Sequence, residues 1–527
     1  MKNELKFCII KIPQKTILKS YTLFKNCLKL IFDYQKIKIH FATVLFIEKN
    51  INIWKYLLKF GKIISIRLKI KEVFVEKRKN IDLTKENIRK SLIKLSIPLT
   101  LTAFVQIAYT LVDMIWIGRL GANAVAAVGV SYFLTWIGEA LSLIAKIGSG
   151  VYASQAYGRK DKKLSAFILN NGYIQGSFIG ITYVLLVFIF KNTFIGFYNL
   201  GDEVSNLANA YLSITVFGYF FVILNPIFSQ AFYSIGESVS PFKINTLGLV
   251  LNIILDPIFI FGFGIIPPMG IKGAALATVT GQGLVFIIFI FVMKKKGGLI
   301  GESLSEFSIS GKWQRRIFKL GLPVAFISGI HALITIILNK LMANFGPRPV
   351  AVYSIGSQLE SISWKTTEGC QIVIQSLIAQ NYGAALVDRV KKGVKESLKL
   401  VGTIGIMATI ILFVFRNDLF KIFVPEDVET INLGAKYLAI LSTSQFLQSI
   451  EIGSTGIFQG LSDTRTPAII SVILNAARIP LSLIFIPIMG VLGIWFSMTI
   501  SSILKGLISL YLLRKKMKKD LKFVDFR

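Results

Sequence analysis

The sequence predicts an all-α polytopic membrane protein: twelve transmembrane helices in two six-helix lobes related by a pseudo-two-fold. Three observations carry this. Hydrophobic residues make up 53% of the 527, and mean hydropathy is +0.63. Apolar runs of about 20 residues, the length that crosses a bilayer core, recur from residue 92 to 513. The second half of that region repeats the first. The alternating pattern of a transmembrane β-barrel is absent.

Residues 1–84 read as a basic N-terminal cytoplasmic extension. Through residue 80 they hold 19 Lys and Arg against 5 acidic residues, and their longest apolar run, 41–47, is too short to span. They lack the apolar core and small-residue cleavage site of a signal peptide. Two descriptions fit: upstream sequence translated from a wrong start, or a basic amphipathic surface lying on anionic lipid. A later start near residue 75 would need a non-Met codon, such as at Val73 or Val75, because no Met lies between Met1 and Met114.

Twelve spans follow, at about 92–117, 124–154, 165–190, 207–234, 241–262, 271–293, 317–343, 350–379, 394–415, 433–459, 466–488 and 493–513. The first six form an N-lobe, 85–293, and the last six a C-lobe, 317–513. A linker, 294–316, joins them, and a basic tail, 514–527, follows. Basic residues gather between spans two and three, six and seven, eight and nine, and after span twelve. Arg159 to Lys163, Lys294 to Arg316, Asp388 to Lys392 and Arg514 to Lys516 mark these places. The positive-inside rule then puts both termini in the cytoplasm of a multi-pass protein of the plasma (inner) membrane. The net charge of +32 is accounted for this way, so no nucleic-acid partner is expected. Three cysteines and two histidines exclude a disulfide framework and a multi-histidine metal site.

The halves match at an offset of 225 through their second spans and of 223 in their fifth. Lys94-Leu95-Ser96-Ile97-Pro98-Leu99 answers Lys319-Leu320-Gly321-Leu322-Pro323-Val324. Gly121 answers Gly346, and Gln155-Ala156-Tyr157-Gly158 answers Gln380-Asn381-Tyr382-Gly383. Asn252 with Pro257 answers Asn475 with Pro480. Six spans per half give a parallel repeat with a cavity between the lobes.

Within this frame the stretch from Thr246 to Gly262 stands out. Asn252 and Asp256, one helical turn apart, share a face, and Pro257 frees the Ile253 carbonyl. A carboxylate inside the bilayer costs about 3 kcal/mol on insertion scales and is a functional residue by default. Hard oxygen ligands of this kind suit a proton or a small cation such as sodium. Asp113 in span one is a second carboxylate. The repeat places Leu338 at its counterpart and Ile479 at the counterpart of Asp256, so the scaffold is duplicated and the carboxylates are not. Coupling chemistry is therefore expected in the N-lobe.

The order Lys94 to Leu99, then VDMIWIGRLG over 112–121, SQAYG over 154–158, LNIILDP over 251–257 and GIKGAALAT over 270–278 resembles the MATE (multidrug and toxin extrusion) transporters, most closely their DinF-like branch. The resemblance covers about 85–515. It implies a MATE-type fold and export of drugs and small organic cations against inward sodium or proton flow. It also implies a cation or proton site built from Asp113, Asn252, Asp256 and Thr278. No cofactor beyond the coupling ion, no catalysis and a monomeric state are expected. Pro98 and Pro257 are candidate hinges.

Trp136, Glu451 and His331 are candidates for the substrate cavity. Another branch of the family carries a glutamate where this chain has His331, which counts against a C-lobe site of that kind. Glu360, Lys365 and Glu368 in span eight, and Glu139 and Lys146 in span two, read as internal ion pairs. A lipid-linked saccharide flippase of the same superfamily is the alternative function. It would need a strongly cationic cavity, and the N-lobe spans offer little positive charge beyond Lys146.

Overall fold

A computed structural model describes residues 81–198, 201–305 and 308–518; the extension through Asn80 lies outside them, as does most of the basic tail. Six helices build the N-lobe: α1 (Ile88–Gly118), α2 (Ala122–Gly158), α3 (Lys162–Gly196), α4 (Asp202–Ser234), α5 (Val239–Phe261) and α6 (Ile271–Lys296). A short α7 (Gly298–Ser305) lies in the linker. The C-lobe comprises α8 (Gly311–Ala343), α9 (Pro347–Gly383), α10 (Val387–Val414), α11 (Arg416–Lys421), α12 (Val428–Ser442), α13 (Gln445–Gly460), α14 (Arg465–Ala476), α15 (Arg478–Met489) and α16 (Val491–Lys518). Asn87 and Asp161 cap α1 and α3 by accepting from the Lys90 and Leu164 amides.

Among the described residues ten segments are long and apolar enough to cross a membrane, with α14 and α15 counted as one. The other two expected crossings are α9, made polar by Glu360, Lys365 and Glu368, and the α12–α13 pair.

Two spans expected as continuous helices are broken. The Ser442, Thr443 and Ser444 hydroxyls each donate to a carbonyl three residues back, at 3.0, 2.7 and 2.8 Å. Three such competing bonds in succession weaken the helical ladder, and α12 ends there. In span eleven, α14 stops at Ala476, four residues before Pro480, where the proline ring crowds the carbonyl. Its repeat-mate Pro257 sits inside a continuous α5.

The lobes cross over at one end. Leu92, Leu95 and Leu99 of α1 join a core with Cys370, Val373, Ile374 and Leu377 of α9. Trp313 and Ile317 of α8 join the N-lobe core. Each lobe's first helix thus packs on the other lobe, as the pseudo-two-fold demands.

The repeated Gln-x-Tyr-Gly motifs meet at this end. A methyl on Gly158 would overlap the Gln380 carbonyl, and one on Gly383 would overlap the Gln155 carbonyl. Gln155 Nε2 donates to the Gly460 carbonyl (3.0 Å) and Ser462 Oγ (2.8 Å), and Gln380 Nε2 donates to the Ser234 carbonyl (2.7 Å). Backbones this close tolerate no side chain. Gly158→Ala is expected to cost about 1–3 kcal/mol of stability by overpacking. A thermal midpoint equal to wild type would show that the seam is looser than drawn.

The chain before α1 also belongs to this seam. The Leu83 side chain is fully buried, and its carbonyl accepts from Asn381 Nδ2 (3.0 Å) and Arg389 Nη2 (3.0 Å). Residues 81–86 therefore pack as part of this seam. Truncation through Glu86 is expected to lower the thermal midpoint clearly below that of a truncation through Asn80, which keeps these bonds. Equal midpoints would refute the role of 81–86.

Candidate functional site

On α5 the residues Gly248, Asn252, Asp256 and Ile260 recur every four positions and are all buried, one face of one helix. That face packs on α6, where a methyl at Gly281 would lie 3.2 Å from Asn252 Cβ. Small residues at such a crossing let two membrane helices approach closely. Asn225 of α4 pins α6 beside this point, donating to the Gln282 carbonyl (3.1 Å) and Oε1 (3.0 Å). Asp256 is 0% exposed and Asn252 4%.

None of the polar side-chain atoms of Asn252 or Asp256 makes a hydrogen bond, and Asp113 Oδ1 is likewise buried and unbonded. Asp113, on α1, is near enough for its charge to act on Asp256. Buried polar groups are nearly always bonded, so such a concentration of unpaired oxygens calls for an explanation. Two neighbouring carboxylates in a low-dielectric interior repel, and the pair is relieved by a proton or a cation. The donor set, two carboxylates and an amide oxygen, fits either. Thr278, on α6 three residues before Gly281, spends its hydroxyl on the Ala274 carbonyl (3.1 Å), which leaves its oxygen lone pairs to accept. Trp116 of α1 stacks edge-on against Phe261 at 6.1 Å beside the same helix pair.

The C-lobe holds a different polar group, of which the sequence shows only the pieces. Buried Glu360 accepts from Tyr437 Oη and Gln445 Nε2, both at 3.4 Å. Arg478, adjacent to the counterpart of Asp256, is buried and donates to Ser501 Oγ (3.1 Å) and Ser502 Oγ (3.2 Å). Its charge acts on Glu360. Glu451 accepts from Ser471 Oγ (3.0 Å), and its charge acts on Arg478 and on buried Lys505. His331 lies within reach of both cations.

So Glu451, which has no evident partner in the sequence, has partners in the fold, and with His331 it belongs to a closed charge network inside the C-lobe. Sequence reasoning missed Arg478 and Lys505. The signal that would have found them is simple: each is a lone cation inside an apolar run.

A third group links the two lobes. Glu139 and Lys146 of α2 interact electrostatically with Lys365 and Glu368 of α9, and Lys365 pairs with Glu368 at 2.9 Å. Lys146 thus belongs to this group. Trp136 is half-buried one turn away, against Phe133 at 6.3 Å. Pro98 lies where α1 passes the seam, and its carbonyl accepts from Thr102 Oγ1 (2.9 Å).

The model of the MatE family matches residues 98–258 and again 323–484. The two matches begin on Pro98 and Pro323, the repeat-related prolines. The chain belongs to the MatE family. This MatE protein is 26% identical to the "Probable multidrug resistance protein NorM" of Thermotoga maritima, over 80% of this chain and 91% of that protein. It is 25% identical to the "Multidrug export protein MepA" of Staphylococcus aureus, over 83% of this chain and 96% of that one. Among solved structures it superposes on the outward-facing conformation of a MATE family transporter of the MOP superfamily. The TM-score is 0.78 at 21% identity, covering 85% of this chain and 100% of that one. A MOP superfamily transporter from Pyrococcus furiosus, described as having a binding pocket of reverse polarity, gives 0.78 at 21% identity over 84% and 99%. The MatE protein is thus a multi-pass membrane transporter with the twelve-helix MATE fold.

Proposed function

We propose that this MatE protein is a secondary antiporter that exports drugs and organic cations from the cell by alternating access, driven by inward sodium or proton flow. The observation that carries this is the asymmetry between lobes. In the C-lobe the buried carboxylates Glu360 and Glu451 interact with fixed side-chain cations, Arg478 and Lys505. In the N-lobe Asp113 and Asp256 have none among the described residues, and their buried oxygens are unbonded. A carboxylate pair without a fixed partner is where a mobile cation or proton does work. Loading and unloading it changes the charge of the α1–α5–α6 face, and a ligand shifts a conformational equilibrium only through such differential binding.

The names of the NorM and MepA relatives support the drug-export reading. The tight seam at the Gly158–Gly383 end, read with the positive-inside rule, supports an outward-facing state with the cytoplasmic side closed. The flippase alternative wants a strongly cationic cleft. Here Lys146 and Lys365 are balanced by Glu139 and Glu368. The test is drug efflux from proteoliposomes under an imposed sodium gradient, then an imposed proton gradient. Efflux that responds to neither overturns the proposal.

A further inference from the structure

The linker end of α8 carries a cavity of about 490 Å³ lined by Gly311, Lys312, Arg315, Arg316 and Lys319. Four of its five lining residues are cations and none is acidic. Several other basic side chains of the protein are occupied. Lys296 pairs with Glu237, Lys399 with Glu396, Lys516 with Asp463, and Arg389 binds the Leu83 and Glu86 carbonyls. The four cations of the cavity make no ion pair among the described residues. Arg316 lies over the Trp313 ring at 5.2 Å, yet its Nη1 is buried without a hydrogen-bond partner. A buried guanidinium nitrogen left unpaired is costly, so an acceptor from outside the described residues is called for.

What lies below the cavity selects among anions. On α8, Phe318, Leu322 and Phe326 fall on the same helix face as Arg315 and Lys319, continuing it along the helix. They are 41%, 42% and 62% exposed. The face is thus basic for its first turns and apolar and uncovered for the next two. A free phosphate uses only the first part. An amphiphile with an anionic head and acyl chains uses both, and the junction falls where the apolar span begins, at the height of lipid headgroups.

We propose that this face of α8 binds an anionic phospholipid, with its phosphate among Lys312, Arg315, Arg316 and Lys319 and its acyl chains along Phe318, Leu322 and Phe326. The site abuts the seam between lobes: a methyl at Gly148 of α2 would overlap the Ile317 carbonyl, and Trp313 meets Tyr152 of α2 edge-on at 5.6 Å. A lipid seated there braces α8 against α2.

The experiment follows the thermal midpoint of the full chain in detergent while phosphatidylglycerol, or phosphatidylcholine, is titrated in. Phosphatidylglycerol is expected to raise the midpoint saturably and phosphatidylcholine far less. In Lys312→Gln/Arg315→Gln/Lys319→Gln the half-saturating phosphatidylglycerol concentration should rise about tenfold or more, with the lipid-free midpoint near wild type. Lys391→Gln/Lys392→Gln/Lys395→Gln removes as much exposed charge from the same end and should leave the wild-type response. If the α8 variant fails to fold, wild type in 0.5 M salt should lose much of its preference for phosphatidylglycerol through screening. An unchanged response of the α8 variant, or of wild type in salt where that variant does not fold, overturns the proposal. So does an equal loss in the Lys391 variant, or a midpoint rise reproduced by inorganic phosphate alone.

Discussion

Asp256→Asn is expected to abolish gradient-driven efflux, lowering the rate per folded molecule by about tenfold or more, while insertion and folding persist. The substitution keeps the size of a side chain with no hydrogen bond to lose and removes its ability to hold a cation or exchange a proton. Drug binding should survive, because nothing requires the drug to touch Asp256. Asp113→Asn should behave alike. The double variant should be little worse than either single one, since residues that act as a unit are not additive. Ile479→Asn, at the repeat-related position, should leave coupling nearly intact. The competing idea is that Asp256 only holds α5 in place. Then Asp256→Asn would lower yield and thermal midpoint at an unchanged rate per folded molecule, and that result would end the coupling proposal.

Removing the C-lobe cation should instead strike stability. Arg478→Met leaves Glu360 and Glu451 short of a partner in the protein interior. Breaking a buried charge group from one side costs about 3–5 kcal/mol. A large drop in thermal midpoint and in yield is expected. Glu360→Gln/Arg478→Met takes one charge of each sign together and should recover part of the loss. The sign of that coupling distinguishes a self-contained network from a second ion site. If Glu360→Gln/Arg478→Met were no more stable than Arg478→Met alone, the two residues would not be partners. Efflux measured per folded Arg478→Met molecule should remain, in contrast to Asp256→Asn, because the network is structural in this reading.

The two variants separate what each lobe does with its buried charge. The N-lobe presents unpaired oxygens on α1 and α5, and the C-lobe presents carboxylates already matched to Arg478 and Lys505. In the proposed function the same scaffold, duplicated, carries a mobile-cation chemistry in one copy and a fixed-cation structure in the other.

The sequence by itself determined the class, the count of spans and the two-fold repeat, and it supplied the N-lobe candidates. Length and hydropathy dictate crossings, because backbone in lipid must satisfy its own hydrogen bonds and only helices of bilayer length do so here. The four-residue spacing of Asn252 and Asp256 is enough to put them on one face, since helical periodicity is local. The tertiary structure alone decided which charges meet. Arg478 and Ser501 are 23 positions apart, and Glu360 and Tyr437 are 77 apart. No local period links them, and only helix packing brings them together. It alone showed that Gly158 and Gly383, already visible as repeat-mates, pack against one another's motifs, because a fixed sequence offset does not state what lies across the axis. The breaks after Ser442 and Ala476 also needed the fold. Hydroxyls and a proline merely permit a break, and Pro257 inside an unbroken α5 shows that neighbouring helices decide whether one is taken.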